Sequence, residues 1–542
     1  MNLLTSSWMP FKLKDGSERY LPVRHIADPQ VLDFAQPRAD FQGAAYQFAI
    51  GLLQTLFAPK DKKHWYRLYQ TPPTLGELQQ ALLKAEPAFE MIAKDGKDGP
   101  LFMQDFEPLS DASPSSVSGL LIEAPGGNTL KQNTDHFVKR GIGETLSPEM
   151  AAIALFTLQI NAPSGGQGHR TGLRGGGPLT TLLLPNRQDA TLWQKLWLNV
   201  ISGPYLEILT RVQLAPDLTS EQVFPWLAPT RLSKAKGSET YVEDVHPLHM
   251  YWAMPRRIRL LAEDQSGVCS LTGKQTDSLF TQLRTQNYGY NYAGQWLHPL
   301  TPYRFNPKKP QEEPFSIKAQ PGGLGYRHWH TLLFDDSEGG VLAASVIKSF
   351  NQEKYDNTHL EDEGIRLWAF GFDMDNMKAR GWYSVEFPYI YIDEAYREAF
   401  LTEVKSLLKL ASEAVWHLRT QIKAALFERP SEAKGDLSHY EQRFWQQSQQ
   451  AFFAAVKAVK GQIEQGGETL TGQAAKFWLT QVRQSALAIF DDAVTNNIEL
   501  GNSQKTQRKI LARRQLTGWL FGGKEINNYQ QERLSALMEE AQ

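Results

Sequence analysis

From Asp393 to Leu426 the chain reads DEAYREAFLTEVKSLLKLASEAVWHLRTQIKAAL. Phe400, Val404, Leu407, Leu408, Ala411, Ala414, Leu418, Ile422 and Leu426 recur three and four residues apart, which places them on one face of a long amphipathic helix. The periodicity continues downstream. A second helix is expected from about Leu437 to Ile463, ended by Gly466-Gly467. A third is expected over Leu470 to Val494, and a fourth after Gly501-Asn502-Ser503, with Asn502 or Ser503 as its cap. Four long helices with short connections spell an antiparallel bundle, placed at 393–542.

Upstream, residues 1–392 have a different character. Leu3, Leu4, Trp8 and Phe11 lead into Lys14-Asp15-Gly16, a hairpin signal, and Tyr20-Leu21-Pro22-Val23 returns. Helices are expected over Phe41 to Phe57, Leu75 to Ala85 and Ala151 to Ile160, and the span Phe102 to Ser147 reads as irregular. Beyond them, short strand-like runs such as Thr331-Leu332-Leu333-Phe334 and Trp382-Tyr383-Ser384-Val385 alternate with turns. The expected class is α+β: a large mixed N-terminal domain (1–392) followed by a C-terminal four-helix bundle.

Composition narrows the function. The 542 residues are 41% hydrophobic and 21% charged, which excludes wholesale disorder. Lys plus Arg is 57 against 59 for Asp plus Glu, a balance that argues against indiscriminate nucleic-acid coating and leaves room for local basic patches. Cys269 is the one cysteine, so an internal disulfide or a multi-thiolate zinc site is excluded. No secretory signal or membrane span is read, and the expected location is the cytoplasm.

Four motifs carry candidate chemistry. Ser164-Gly165-Gly166-Gln167-Gly168-His169-Arg170, followed by Gly172-Leu173-Arg174-Gly175-Gly176-Gly177, fits neither the phosphate-loop nor the dinucleotide pattern. It leaves a side-chain-poor ribbon flanked by Arg170 and Arg174 that can lie in a DNA minor groove; a plain tight turn explains the same residues. Tyr288, Tyr290 and Tyr292, leading to Trp296 and His298, fit a strand with one aromatic face, for stacking on bases or for core packing. Asp373 to Arg380 reads as a hairpin whose tip presents Met377 and Lys378, either a wedge for a base stack or simply a turn. From Gly501 to Gly523 there are five basic residues and no acidic ones, Lys505, Arg508, Lys509, Arg513 and Arg514, and such a stripe favours a polyanion over a merely solvated face. His246 and His249 lack the helix of a zinc protease, and no nucleophile elbow is present.

Met1-Asn2-Leu3-Leu4 with Trp8-Met9-Pro10, the block Ala152 to Phe156 with Ala162-Pro163 and Thr171 to Gly176, Trp296-x-His298-Pro299 and Asp375 to Ala379 together resemble the CasA family. These are the large subunits of type I-E CRISPR Cascade complexes, and the resemblance spans nearly the whole chain in order. It implies a non-catalytic DNA reader without cofactor or metal, partnered by the other Cascade subunits with CRISPR RNA, by double-stranded target DNA and by a helicase-nuclease. On that resemblance Ser164, Gly165, Gly166, Gln167 and Gly168, with Asn287, probe the minor groove of the flanking motif (the PAM). Asp375, Asn376, Met377 and Lys378 wedge the duplex, with Met377 where relatives carry a glutamine. Asn133, His136 and Phe137 dock the guide-RNA end, and Lys505, Arg508, Lys509, Arg513 and Arg514 hold the displaced non-target strand. Some relatives carry a zinc knuckle of which only the segment around Cys269 is retained, so no metal is expected there. Two alternatives stand beside this reading: a scaffold subunit without direct PAM reading, and a metal-dependent nuclease with carboxylates drawn from Glu361, Asp362, Glu363, Asp373 and Asp375.

Overall fold

The computed structural model describes residues 1–93, 99–125, 129, 131–132, 141–166, 168–212, 217–263, 265–319, 322–354, 364–375, 378–432, 436–495 and 503–539. The chain divides into two compact units, Met1–Ala319 with Thr331–Glu386, and Gln320–His330 with Phe387–Gln542.

The first unit opens with an antiparallel sheet of β1 (Met9–Leu13), β2 (Glu18–Leu21) and β3 (Val31–Phe34), in the order β2-β1-β3. The tight turn is made by Asp15, whose carboxylate accepts from the Ser17 amide at 2.8 Å, and by Gly16 at φ +82°. Helix α1 (Ala39–Leu56) is buried on almost every side, as its mix of Ala, Gly and large apolar residues allows. Helix α2 (Pro148–Asn161) starts from Ser147, whose hydroxyl accepts from the Met150 amide, with Pro148 in the first turn. It too is apolar nearly all round and lies in the interior. Phe48 of α1 meets Phe89, Phe102, Phe156 and Trp252 edge-on at centroid distances of 5.5–6.1 Å, which packs α1 against α2.

Strand β4 (Thr180–Pro185) follows α2 after the glycine-dense loop. Strands β5 (Arg257–Glu263) and β6 (Leu279–Gln286) pair antiparallel, with Arg257 opposite Gln286. Strands β7 (Ile365–Asp375) and β8 (Lys378–Pro388) are joined by two residues and form a sheet with β4 in the order β8-β7-β4. β4 pairs antiparallel with β7 from Ile365 opposite Pro185 to Phe370 opposite Thr180. β7 then runs on to Asp375 beyond that pairing.

Two expectations fail here. Thr331–Phe334 is not a strand: Trp329–Leu333 is a short helix, since a brief apolar run carries no period long enough to separate the two states. Tyr288 to Tyr292 is not a strand either. Tyr288 adopts φ +66°, and any side chain at Gly289 would collide with the Pro255 carbonyl. The rings pack internally instead, Tyr290 stacked on Tyr292 at 5.9 Å and Tyr292 edge-on to Trp296 at 5.7 Å.

The second unit carries α3 (Glu394–Leu426), α4 (Ser438–Glu464), α5 (Gly472–Phe490), α6 (Ser503–Gly522) and α7 (Lys524–Glu539). Asp393 caps α3, its carboxylate accepting from the Ala395 amide at 2.9 Å. The helical segment expected after Ser503 is broken at Gly522-Gly523, where the glycine pair interrupts it. α3 packs on α4 and α6, α4 on α5, and α7 on α5. A buried ion pair ties the ends together: Arg533 of α7 reaches Glu403 of α3 at 2.8 Å, with side chains 5% and 3% exposed. From the middle of the chain, Tyr326 stacks on Phe452 at 4.2 Å and shares a 3.0 Å hydrogen bond with Ser448.

Candidate nucleic-acid interface

The glycine loop leaves α2 and returns to β4 within the first unit. Its outer bend, Ser164 to Gly166, is exposed; Gln167 lies outside the described residues. The return is fixed by backbone bonds from Gly172 to the Ala162 carbonyl at 2.8 Å and from Gly177 to the Asn161 carbonyl at 3.1 Å. Gly168 brings the loop to Asn287. The Tyr288 amide donates to the Gly168 carbonyl at 2.7 Å, and a Cβ at Gly168 would lie 2.7 Å from the Asn287 Cβ. Two candidate positions more than a hundred residues apart in sequence therefore share one surface.

The loop's far end meets the hairpin. A Cβ at Gly177 would fall 2.6 Å from Met374 Cγ and 2.9 Å from the Phe372 carbonyl, so only glycine, here at φ +59°, permits the approach. Asp375 and Lys378, both exposed, end the hairpin strands; Asn376 and Met377 lie outside the described residues. Arg380 of β8 bridges to buried Asp373 of β7 at 2.7 Å, clamping the strands just below the tip. That hydrogen bond raises the Arg380 pKa. The glycine loop thus touches Asn287 at Gly168 and the hairpin strands at Gly177.

The two arginines flanking the loop serve as struts. Arg174 is buried and donates to Gln47 at 2.7 Å, Thr301 at 3.1 Å and Thr180 at 3.2 Å, and burial pulls its pKa down to about 10. Arg170 donates to the Ser233 hydroxyl at 2.7 Å and stands 5.9 Å over the Tyr288 ring. Arg256 lies under the loop, with its guanidinium on the Pro163 carbonyl, and burial lowers its pKa to about 10.

In the second unit the basic stripe of α6 is partly neutralised. Arg513 makes a bidentate pair with Asp491 at 2.6 and 2.9 Å, which lowers the Asp491 pKa. Arg508 is 3.8 Å from Glu428. Lys505 and Arg514 are exposed, and so are Ile510, Leu511 and Phe521 on the same helix, at 59%, 49% and 52%. The docking candidates Asn133, His136 and Phe137 lie outside the described residues, as do Glu361, Asp362 and Glu363. Among the described residues no group of three or more His, Cys, Asp or Glu could hold a metal ion, and no helix is long and apolar enough to cross a membrane.

The profile of the family described as CRISPR-associated protein Cse1 matches residues 2–489. The chain belongs to the Cse1 family. Its resemblance to CasA, the large subunit of type I-E Cascade, stands on that match. Solved structures share the fold. Cse1 (CasA) of Thermus thermophilus is 17% identical with a TM-score of 0.67, over 96% of this chain and 99% of that one. Cse1 of Acidimicrobium ferrooxidans is 15% identical at 0.63, covering 98% and 99%. A chain of a CRISPR RNA-guided surveillance complex is 15% identical at 0.66, covering 95% and 99%.

Sequence reasoning missed several residues around the loop of this Cse1 chain. Ser233 ties Arg170 to the Gly289 carbonyl, which its hydroxyl reaches at 2.6 Å. The basic loop Arg231 to Lys236 and the Arg256-Arg257 pair were visible as charge clusters, but nothing in their spacing ties them to residues 164–168.

Proposed function

We propose that this Cse1 chain is the Cascade subunit that tests the flanking motif of double-stranded DNA and opens the duplex beside it. The observation that carries the reading is that the loop bearing the exposed glycine bend meets both Asn287, at Gly168, and the hairpin strands, at Gly177. A side-chain-poor ribbon enters a minor groove without steric conflict, and Asn287 offers an amide that can address the groove's acceptor atoms. The hairpin, clamped by Asp373 and Arg380, gives a stiff wedge whose unstacking cost of a few kcal/mol is offset by groove and phosphate contacts. Every step is binding rather than bond chemistry, and destruction of the target falls to a separate helicase-nuclease.

The experiment places 2-aminopurine at the first base pair beside the flanking motif and follows its fluorescence in assembled Cascade with and without this chain. The reading expects unstacking that depends on the chain and on the flank. Fluorescence that rises equally without the chain overturns it.

For the second unit one observation favours another role. Arg513 and Arg508 face carboxylates, and exposed Ile510, Leu511 and Phe521 stand among the cations of α6. Such a mixed face suits a protein neighbour in the complex as well as a displaced strand. Charge reversal at Lys505 and Arg514 separates the two: loss of assembly with DNA contact retained identifies a scaffold face.

A further inference from the structure

Beside the glycine loop lies a second surface that the reading above leaves unused. Lys234 and Lys236 are exposed in the loop that follows Thr230, and among the described residues neither has a carboxylate partner. Ser233 holds this loop in place. Its amide donates to the Tyr288 carbonyl at 3.1 Å, its hydroxyl donates to the Gly289 carbonyl at 2.6 Å, and it accepts from Arg170 at 2.7 Å. The lysines are thereby carried on a loop hydrogen-bonded to the turn that holds Asn287 against Gly168.

Leu232, Lys234, Arg257, Gln286, Asn287 and Tyr288 line a surface cavity of about 440 Å³. No carboxylate lines it. Arg257 is neutralised by Asp105 at 2.6 Å, which leaves Lys234 as the unbalanced charge, with the amides of Gln286 and Asn287 as neutral donors. A cavity with one cation and amide donors suits a singly charged anion rich in acceptor oxygens.

We infer that this cavity seats a backbone phosphodiester of the same duplex whose groove meets the glycine loop, with Lys234 on that phosphate and Lys236 on a neighbouring one. This rests on the reading that the glycine loop meets DNA. Phosphate contacts of this kind set register and orientation without reading sequence. Lys234 and Lys236 would therefore hold the duplex at the height at which Asn287 and the glycine bend address the flank.

The test uses assembled Cascade carrying Lys234→Ala with Lys236→Ala, and a separate Gly166→Asp preparation, on guide-matched duplex between about 50 and 200 mM salt. With two phosphate contacts removed, the slope of log affinity against log salt falls by roughly two. Affinity drops by the same factor on every flank, so the ranking of flanks is kept. An unchanged slope, or a changed ranking, overturns the phosphate seat. If Gly166→Asp meanwhile erases flank preference, the flank reading survives that failure; if it changes nothing, both fall. Neutral methylphosphonate linkages beside the flank give a measurement on the unaltered protein. They should weaken wild-type binding and leave the double variant unaffected, and equal weakening of both contradicts the inference.

Discussion

Gly168→Ala and Gly166→Ala form a matched pair that probes how the loop is built. Both glycines hold positive φ, +79° and +89°, so either alanine incurs about 1–2 kcal/mol of left-handed backbone strain. They differ in what the new methyl meets. At 166 nothing lies within 4 Å; at 168 the Asn287 Cβ lies at 2.7 Å and the Tyr288 ring at 3.2 Å. Carbon atoms settle at about 3.5–4.0 Å, so Asn287 must retreat by roughly 1 Å. Its Cβ is fixed to the main chain, and that main chain is held by the 2.7 Å bond from Tyr288 to the Gly168 carbonyl. Overpacking of this sort adds about 1–3 kcal/mol. The expected destabilisation is therefore ~2–5 kcal/mol for Gly168→Ala against ~1–2 kcal/mol for Gly166→Ala. Gel shifts of assembled Cascade on guide-matched duplex read the consequence. At 1.4 kcal/mol per factor of ten, the extra ~1–3 kcal/mol of overpacking predicts that Gly168→Ala loses about 5- to 150-fold more affinity than Gly166→Ala. Flank discrimination should fall with it. Equal losses for the two variants would refute the idea that the Gly168–Asn287 contact shapes the site.

Glu403→Leu removes the buried carboxylate that Arg533 meets at 2.8 Å and leaves the guanidinium to the exposed Glu532 carboxylate at 2.6 Å, so denaturant melts should show a loss of about 3 kcal/mol, the low end for a broken buried pair. Glu403→Leu with Arg533→Met should recover most of it; a double variant as unstable as the single one would count against the pair. Arg513→Glu sets a carboxylate against Asp491 and should lower the melting temperature, whereas Lys505→Glu with Arg514→Glu, at exposed positions, should leave melting unchanged and flatten the salt dependence of DNA binding. Identical melting for all of these would remove the structural role given to Arg513. Burial holds the His249 pKa at about 4, below its ordinary 6.5, so the unfolded chain takes up the proton first as pH falls. Its contribution is full above about pH 6.5 and is lost towards pH 4, a decline of about 3 kcal/mol, with His298 shifted in the same direction by burial. Unfolding free energies measured across that range should fall accordingly, and His249→Asn should flatten the curve; a flat wild-type curve contradicts the assignment.

The helices of the second unit are legible because apolar residues repeat at 3.6 over several turns, a signal that local context barely disturbs. The hairpin around residues 375–378 was legible from its turn residues, and the glycine loop from composition. What was hidden depends on contacts distant in sequence. Nothing local distinguishes Arg174, enclosed by Gln47, Thr180 and Thr301, from an arginine facing a groove. The alternation of Tyr288, Tyr290 and Tyr292 mimicked a strand, and only the approach of Gly289 to the Pro255 carbonyl shows why the backbone turns instead. The basic stripe of α6 looked unopposed because Asp491 and Glu428 reach it from other segments. Tyr326 and its stacking on Phe452 likewise follow from tertiary packing, not from any pattern near residue 326.

The central claim is that this chain makes Cascade binding depend on the sequence flanking the target. It is tested most directly by titrating guide-matched duplex with the remaining Cascade subunits, with and without this chain, over randomised flanking trinucleotides. The account predicts tight binding for a restricted set of flanks only when the chain is present, with the DNA left uncut. Binding that is unchanged by the chain, or equally tight on every flank, contradicts it.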